Sequence, residues 1–415
     1  MELKRRKPYV LDPQADPVAQ ARELRALGPL VAVELPGGVA AWSATDLATA
    51  QRVLAHEDLT KDAAHWPDLV EGRIPDDWEL IAVVRGAAML HQGGDEHRRL
   101  RGLASAAFTR APIEAMRPRV AEIARELLDA ADPGDGGVVD LRESYAYPLP
   151  VRVVCELLGV PDTAVSELRE RFERLVTPSA PGDGGNIQEA VGAIYASLGA
   201  LIQVKRAAPG DDLTTALIQA RDDEDRLSEQ ELVETLFLIM IAGHETSIHA
   251  ITNTVHALLD DPAALERVLA SDAPGKWADA AEEGLRFSSP VPHALMRYAV
   301  RDTEIAGVRV AQGDPVIASL FTVGRDPGRH RDPERFDHTR STRRDHAAFG
   351  FGAHYCLGAR LARLEIEVAL GTLFERFPDL APADASFGSD RYASIPIQGL
   401  RTLPVRLRAS ARVSG

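Results

Sequence analysis

The run Phe349-Gly350-Phe351-Gly352-Ala353-His354-Tyr355-Cys356-Leu357-Gly358 delivers one thiol from a glycine-rich loop to the start of a helical pattern, Leu357 to Phe377. Unpaired N–H groups and the dipole at a helix N-terminus favour a thiolate there. Gly352 and Gly358 lack a Cβ, so the backbone can lie close to a flat group, and Phe349 offers an aromatic shield beside the sulfur. A lone cysteine is more often a small buried hydrophobe. Cys155, among Val153, Val154, Leu157 and Leu158, reads that way. Two cysteines in 415 residues argue against a disulfide framework and suit a reducing compartment.

Upstream, Glu283-Gly284-Leu285-Arg286 sets a carboxylate and a guanidinium three apart, on one helix face. Alone such a pair is usually a solvated bridge worth little. It precedes a meander rich in Pro, Asp and Arg that contains Pro333-Glu334-Arg335-Phe336. Further upstream, Ser228 to Leu259 is apolar around nearly its whole circumference, which predicts a helix buried at the molecular centre. Ala242-Gly243-His244-Glu245-Thr246-Ser247 interrupts it. Gly243 costs about 1 kcal/mol against alanine, and Thr246 can bond back to a carbonyl one turn earlier and bend the helix. Together they could open a groove, although an isolated threonine there reads more simply as self-satisfied. His97-Arg98-Arg99-Leu100-Arg101 puts His97 and Arg101 on one face. Arg297 follows in Met296-Arg297-Tyr298-Ala299.

Taken in this order, the motifs resemble those of the cytochrome P450 family. The cysteine loop matches F-x-x-G-x-x-x-C-x-G at every fixed position. Glu283 and Arg286 match E-x-x-R, Pro333 and Phe336 match P-x-x-F, and His97 and Arg101 match H-x-x-x-R. Ala242, Gly243, Glu245 and Thr246 match A-G-x-[DE]-T. The resemblance runs from the Pro36-Gly37-Gly38 hairpin to Leu400–Val405 and implies a mainly α P450 fold, one domain over residues 1–415 with small β-sheets. It implies haem b (iron protoporphyrin IX) with Cys356 as the iron ligand. Phe349, Gly350, Gly358 and Ala242 lie around it, and His97, Arg101, Arg297 and His354 bind the propionates. Thiolate donation favours O–O cleavage, the chemistry of a monooxygenase. Glu245 and Thr246 then form the proton path, while Glu283, Arg286 and Arg335 form a structural network.

Other expectations concern surroundings. The residues are 45% hydrophobic and the net charge is -15, so nucleic acid and anionic membranes are not expected partners. No apolar run is long enough to span a bilayer. Lys4, Arg5, Arg6 and Lys7 read as a solvated terminus, since no apolar stretch follows. A cytoplasmic monomer is expected. No flavin or iron–sulfur motif occurs, so electrons come from a ferredoxin and its reductase, or a flavodoxin. A basic docking patch of Arg98, Arg99, Arg343, Arg344, Arg360 and Arg363 is expected to meet that donor.

Thr60 to Gly94 reads as an irregular but folded wall of the substrate pocket, with Trp66, Ile81 and Val84; Ala242, Pro292, Leu295, Ile395 and Ile397 complete the lining. Trp66 either stacks on substrate or packs internally. The apolar lining predicts a mid-sized, largely apolar substrate. Pro178 to Asn186 reads as a connector that lets its flanking helices, one of them Thr163 to Val176, open as a lid. Hydroxylation is the default reaction, with epoxidation and oxidative coupling open on the same machinery. A non-oxygenating haem sensor or carrier is a rival, as are a Cys356–His354 thiol hydrolase and a zinc site of Cys356, His346 and His354.

Overall fold

The computed structural model describes residues 6–86, 88–132, 137–161, 187–219, 227–385 and 387–407, with Leu3 and Arg171. The Thr163–Val176 helix and the Pro178–Asn186 connector fall outside these apart from Arg171. The architecture is mainly helical, as expected, and carries one larger sheet than the scattered strand signals suggested.

In chain order the strands are β1 (Tyr9–Val10), β2 (Leu30–Leu35), β3 (Val39–Ala44), β4 (Leu59–Thr60), β5 (Val138–Asp140), β6 (His293–Ala299), β7 (Thr303–Ile305), β8 (Val308–Val310), β9 (Pro315–Ser319), β10 (Ala381–Pro382) and β11 (Pro404–Arg406). Six form a mixed sheet in the order β1-β2-β3-β9-β6-β4. The β2–β3 hairpin pairs Leu35 with Val39. Gly37 and Gly38 turn it at φ +80° and +76°, a region side chains disfavour. Trp42 of β3 pairs in parallel with Val316 of β9, so distant parts of the chain share one sheet.

The helices that matter for the site are α1 (Leu47–Ala55), α2 (Gly94–Ser105), α3 (Arg117–Ala131), α4 (Pro148–Leu158), α5 (Glu229–Asp260), α6 (Lys276–Phe287) and α7 (Ala359–Arg376). α5 is central and begins with a capping box: Ser228 Oγ accepts from Glu231 N–H, and Glu231 Oε2 accepts from Ser228 N–H. A short helix, Arg110–Ala115, precedes α3 and is separate from it. Pro118 stands in the first turn of α3, where its missing N–H breaks no internal bond, and there a new helix starts.

The main core joins α3, α4, α5, α6 and α7, and two smaller clusters flank the sheet. Cys155 is buried in the main core, as read. The Thr60–Gly94 stretch is folded. Trp66 stacks on Tyr298 with centroids 5.4 Å apart and meets Trp78 edge-on at 5.8 Å. Among the described residues no helix is long and apolar enough to cross a membrane.

Candidate active site around Cys356

The cysteine loop is shaped by its backbone. Cys356 N–H donates to Phe349 O at 2.8 Å, and Gly350 N–H to Ala347 O at 2.7 Å. Gly350 and Gly352 have φ +72° and +74°. A Cβ on Gly352 would sit 3.0 Å from Leu54 O, so this glycine lets the loop press on α1. A Cβ on Gly358 would meet open space. Cys356 is exposed by surface area, yet enough protein surrounds it that burial raises its thiol pKa above the usual value. The Gly358 N–H, Arg101 and Arg363 pull the other way and lose. The donors at the helix start thus favour the thiolate in the expected sense, and burial opposes them.

Phe349 lies under the Arg363 guanidinium, 4.3 Å from the ring centroid. Arg363 also donates to Glu282 (2.6 Å) and to Tyr355 Oη (3.0 Å), and His346 Nε2 lies 3.0 Å from the same carboxylate. Burial would raise the Glu282 pKa, but His346 and Arg363 outweigh it and hold the group at about 2. A depressed carboxylate stabilises the fold fully above its ordinary 4.5 and loses that contribution as pH falls toward 2. At 1.36 kcal/mol per unit this amounts to about 3 kcal/mol. Glu282→Gln is expected to lower stability at pH 7 and to flatten the acid-unfolding curve between pH 4.5 and 2, followed by circular dichroism.

Next to Glu282, Glu283 and Arg286 are fully buried and paired in bidentate fashion, Nε–Oε2 2.8 Å and Nη2–Oε1 2.7 Å. The third member of this network is Arg340, whose Nε lies 3.3 Å from Glu283 Oε1. Arg335 is a correction: its side chain is exposed, and only its carbonyl joins, accepting from Arg286 and Arg340.

On α5, Thr246 Oγ1 donates to Ala242 O at 2.8 Å, the back-bond its position suggested. Ala242, Gly243 and Thr246 stay accessible in a helix otherwise closed on most sides. Gly243 does not open this face: a Cβ there would touch Val154 of α4 at 3.3 Å, so it serves helix packing. Glu245 Oε1 accepts from His249 Nε2 at 2.9 Å, and Oε2 has no hydrogen bond. Burial pushes Glu245 up, yet the His249 bond with the nearby His249, His244 and Arg142 charges leaves it below the usual carboxylate value. Ser247 Oγ donates to Glu365 of α7 at 2.7 Å, and burial lifts Glu365 to about 8. His249 and Glu365 were missed in the sequence. His249 was findable, four residues after Glu245; Glu365 was not, since its partner lies on another helix.

Beside the loop lies a basic cluster. The His97 and His354 rings are 4.0 Å apart, and Arg101 Nη2 donates to Tyr355 O at 2.7 Å. Arg297 is buried, and desolvation lowers it to about 10. Desolvation, then His97, Lys61, Arg297 and Arg101, push His354 down to about 2. Among the described residues, none of these groups pairs with a carboxylate. His354 faces His97, and His346 is held by Glu282, so neither the thiol–imidazole dyad nor the zinc trio is assembled.

The cytochrome P450 family profile matches residues 187–270 and 279–384. The 2-hydroxy-5-methyl-1-naphthoate 7-hydroxylase of Streptomyces carzinostaticus is 40% identical over 413 residues, 97% of this chain and 98% of the relative. The chain is a cytochrome P450. The mycinamicin IV hydroxylase/epoxidase of Micromonospora griseorubida is 37% identical over 86% of this P450 and 87% of its own length. The solved structure of CYP154C4 from Streptomyces sp. ATCC 11861 superposes with a TM-score of 0.90 at 37% identity, covering 97% of this P450 and 99% of that chain.

The family is one of haem monooxygenases, and the site's donors fit that cofactor. One accessible thiol, an open helix face and a cluster of two arginines and two histidines without a carboxylate partner among the described residues are what one iron ligand, a flat ring and two carboxylates require. The residues expected to line the pocket lie as follows. Trp66 is held between Tyr298 and Trp78 and packs internally. Val84, Leu295 and Ile395 are buried in the same sheet-side cluster, with Ile81 packed on it. Pro292, Ile395 and Ile397 border a cavity of about 320 Å³ that also touches Gln20 and Tyr392 but not Cys356. Of the docking arginines, Arg99 binds Glu96 and Glu231, Arg343 binds Asp279, and Arg363 binds Glu282. Arg98 pairs with Asp95 at the surface, and Arg344 and Arg360 remain exposed.

Proposed function

We propose that this P450 inserts one oxygen atom from O2 into a mid-sized, largely apolar small molecule of secondary metabolism, with haem b as its cofactor. Thr246 on the accessible face of α5, with Glu245 buried next to it, carries the reading. Haem bound at Cys356 supplies dioxygen activation, assisted by electron donation from the thiolate. The chain's own residues supply protons and order. Thr246 Oγ1 gives its proton to Ala242 O and keeps its lone pairs free to accept one. Glu245 is held by His249 at Oε1, leaving Oε2 to carry a proton toward Thr246. His97, Arg101, Arg297 and His354 hold the cofactor's carboxylates. The Glu283–Arg286–Arg340 network keeps the meander, and through it the thiol loop, in place.

The naphthoate hydroxylase and the mycinamicin IV hydroxylase/epoxidase support hydroxylation, with epoxidation as the second outcome. Electrons come from a ferredoxin and its reductase, or a flavodoxin, docking near Arg344 and Arg360. The protein works as a cytoplasmic monomer of one domain. A sensor or carrier has no use for the Glu245–Thr246 pair. The test is turnover of the holoenzyme with reduced ferredoxin under heavy-isotope dioxygen, on ligands chosen by their spin-state shift. A product carrying one labelled oxygen is expected, and Thr246→Ala is expected to lower product per electron by roughly tenfold or more. Reductant consumption without labelled product from any spin-shifting ligand would refute oxygen insertion.

A further inference from the structure

Lys61 takes no part in the machinery above. It directly follows β4, which pairs with β6 through Leu59–Ala299 and Thr60–Tyr298, so Lys61 and Arg297 leave neighbouring strands. Lys61 is 6% exposed, and its Nζ donates to Leu295 O at 2.5 Å. An ammonium has three donors, and one is used. Arg297, two residues beyond that carbonyl, has no side-chain hydrogen bond or ion pair among the described residues, and both ring nitrogens of His91 are buried without a partner. Desolvation, then the Arg297 charge, lowers Lys61 to about 7, and desolvation, then Lys61, lowers His91 to about 4. Charging Lys61 beside the buried Arg297 without an anion is costly, because an uncompensated buried charge destabilises a fold strongly. The basic cluster therefore has two arms around His354, His97 with Arg101 from α2 and Lys61 with Arg297 from the sheet.

We propose that Lys61 is a carboxylate-binding residue, which with Arg297 grips either a propionate of the cofactor or the carboxylate of an acidic substrate. The proposal rests on the haem reading above. Its chemistry is a charge-assisted hydrogen bond from the two free Nζ donors, in a place from which water is largely excluded. The buried lysine is tolerated because the anion arrives with the ligand.

The experiment compares wild type, Lys61→Met and Lys61→Arg as holoenzymes. Haem transfer to excess apomyoglobin is followed by absorbance, and the spin-state shift is titrated with naphthoate and with the neutral naphthamide. A propionate contact predicts haem loss from Lys61→Met about tenfold or more faster, as for one charge-assisted bond removed, with Lys61→Arg restoring retention. Unchanged haem transfer with a selective loss of the naphthoate shift in Lys61→Met assigns the carboxylate to the substrate. Lys61→Met equal to wild type in both measurements overturns the proposal, as does a loss that Lys61→Arg fails to restore, which a merely space-filling role would give. A wild-type protein that takes up no haem would instead refute the reading on which it rests.

Discussion

Cys356→Ser is expected to abolish the red-shifted Soret band of the reduced, carbon monoxide-treated protein and to cut product formation by roughly a thousandfold, equivalent to about 4 kcal/mol of barrier. The variant isolates ligand chemistry from folding. The loop is held by the Cys356 N–H to Phe349 O bond, the positive-φ glycines and the close approach of Gly352 to Leu54, none of which needs sulfur. Serine keeps the backbone and nearly the size but is a far weaker acid. Cys155 cannot substitute, because it is buried in the main core and desolvation pushes its thiol to about 12. A Cys356→Ser protein with an unchanged absorption spectrum would put the iron ligand elsewhere.

The parts of the site legible in the sequence are those whose geometry is local. The Thr246 back-bond and the Glu283–Arg286 pair each follow from helical spacing, and each is where spacing puts it. What stayed illegible depends on how separate segments meet. Arg335 sits in the motif, but Arg340 reaches Glu283, because a meander without periodicity does not say which side chain turns inward. Gly243 looked like a groove and is a contact with Val154, since the neighbour across a helix pair is not encoded by either helix alone. Nothing in the Thr60–Gly94 stretch singles out Lys61 until strand pairing brings it beside Arg297. The six-stranded sheet was missed for the same reason: β3 and β9 pair across more than half the chain.

Arg286→Met is expected to cost about 3–5 kcal/mol, because it leaves the Glu283 carboxylate buried without its bidentate partner. Against a total stability of about 5–15 kcal/mol this removes a large share of the margin, and the purified protein should hold little haem. The loss goes beyond the ion pair. Arg286 Nη1 also donates to Gly324 O at 2.7 Å and Pro333 O at 2.9 Å, and Nη2 to Arg335 O at 3.3 Å, so one side chain ties α6 to the end of the Leu320–Gly324 helix and to two carbonyls of the meander. Removing both charges, as in Glu283→Gln with Arg286→Met, should recover only part of the loss, since those carbonyls stay buried and lose their donor. Glu283 Oε1 further accepts from Asp337 N–H at 2.9 Å, which carries the tether beyond Phe336. Arg340→Ala should then weaken the fold measurably, while Arg335→Ala, whose side chain points to solvent, should change the urea midpoint little. Urea unfolding and haem content across these variants decide the matter. An Arg286→Met protein with a wild-type midpoint, or an Arg335→Ala effect equal to that of Arg340→Ala, would remove this network as the support of the thiol loop.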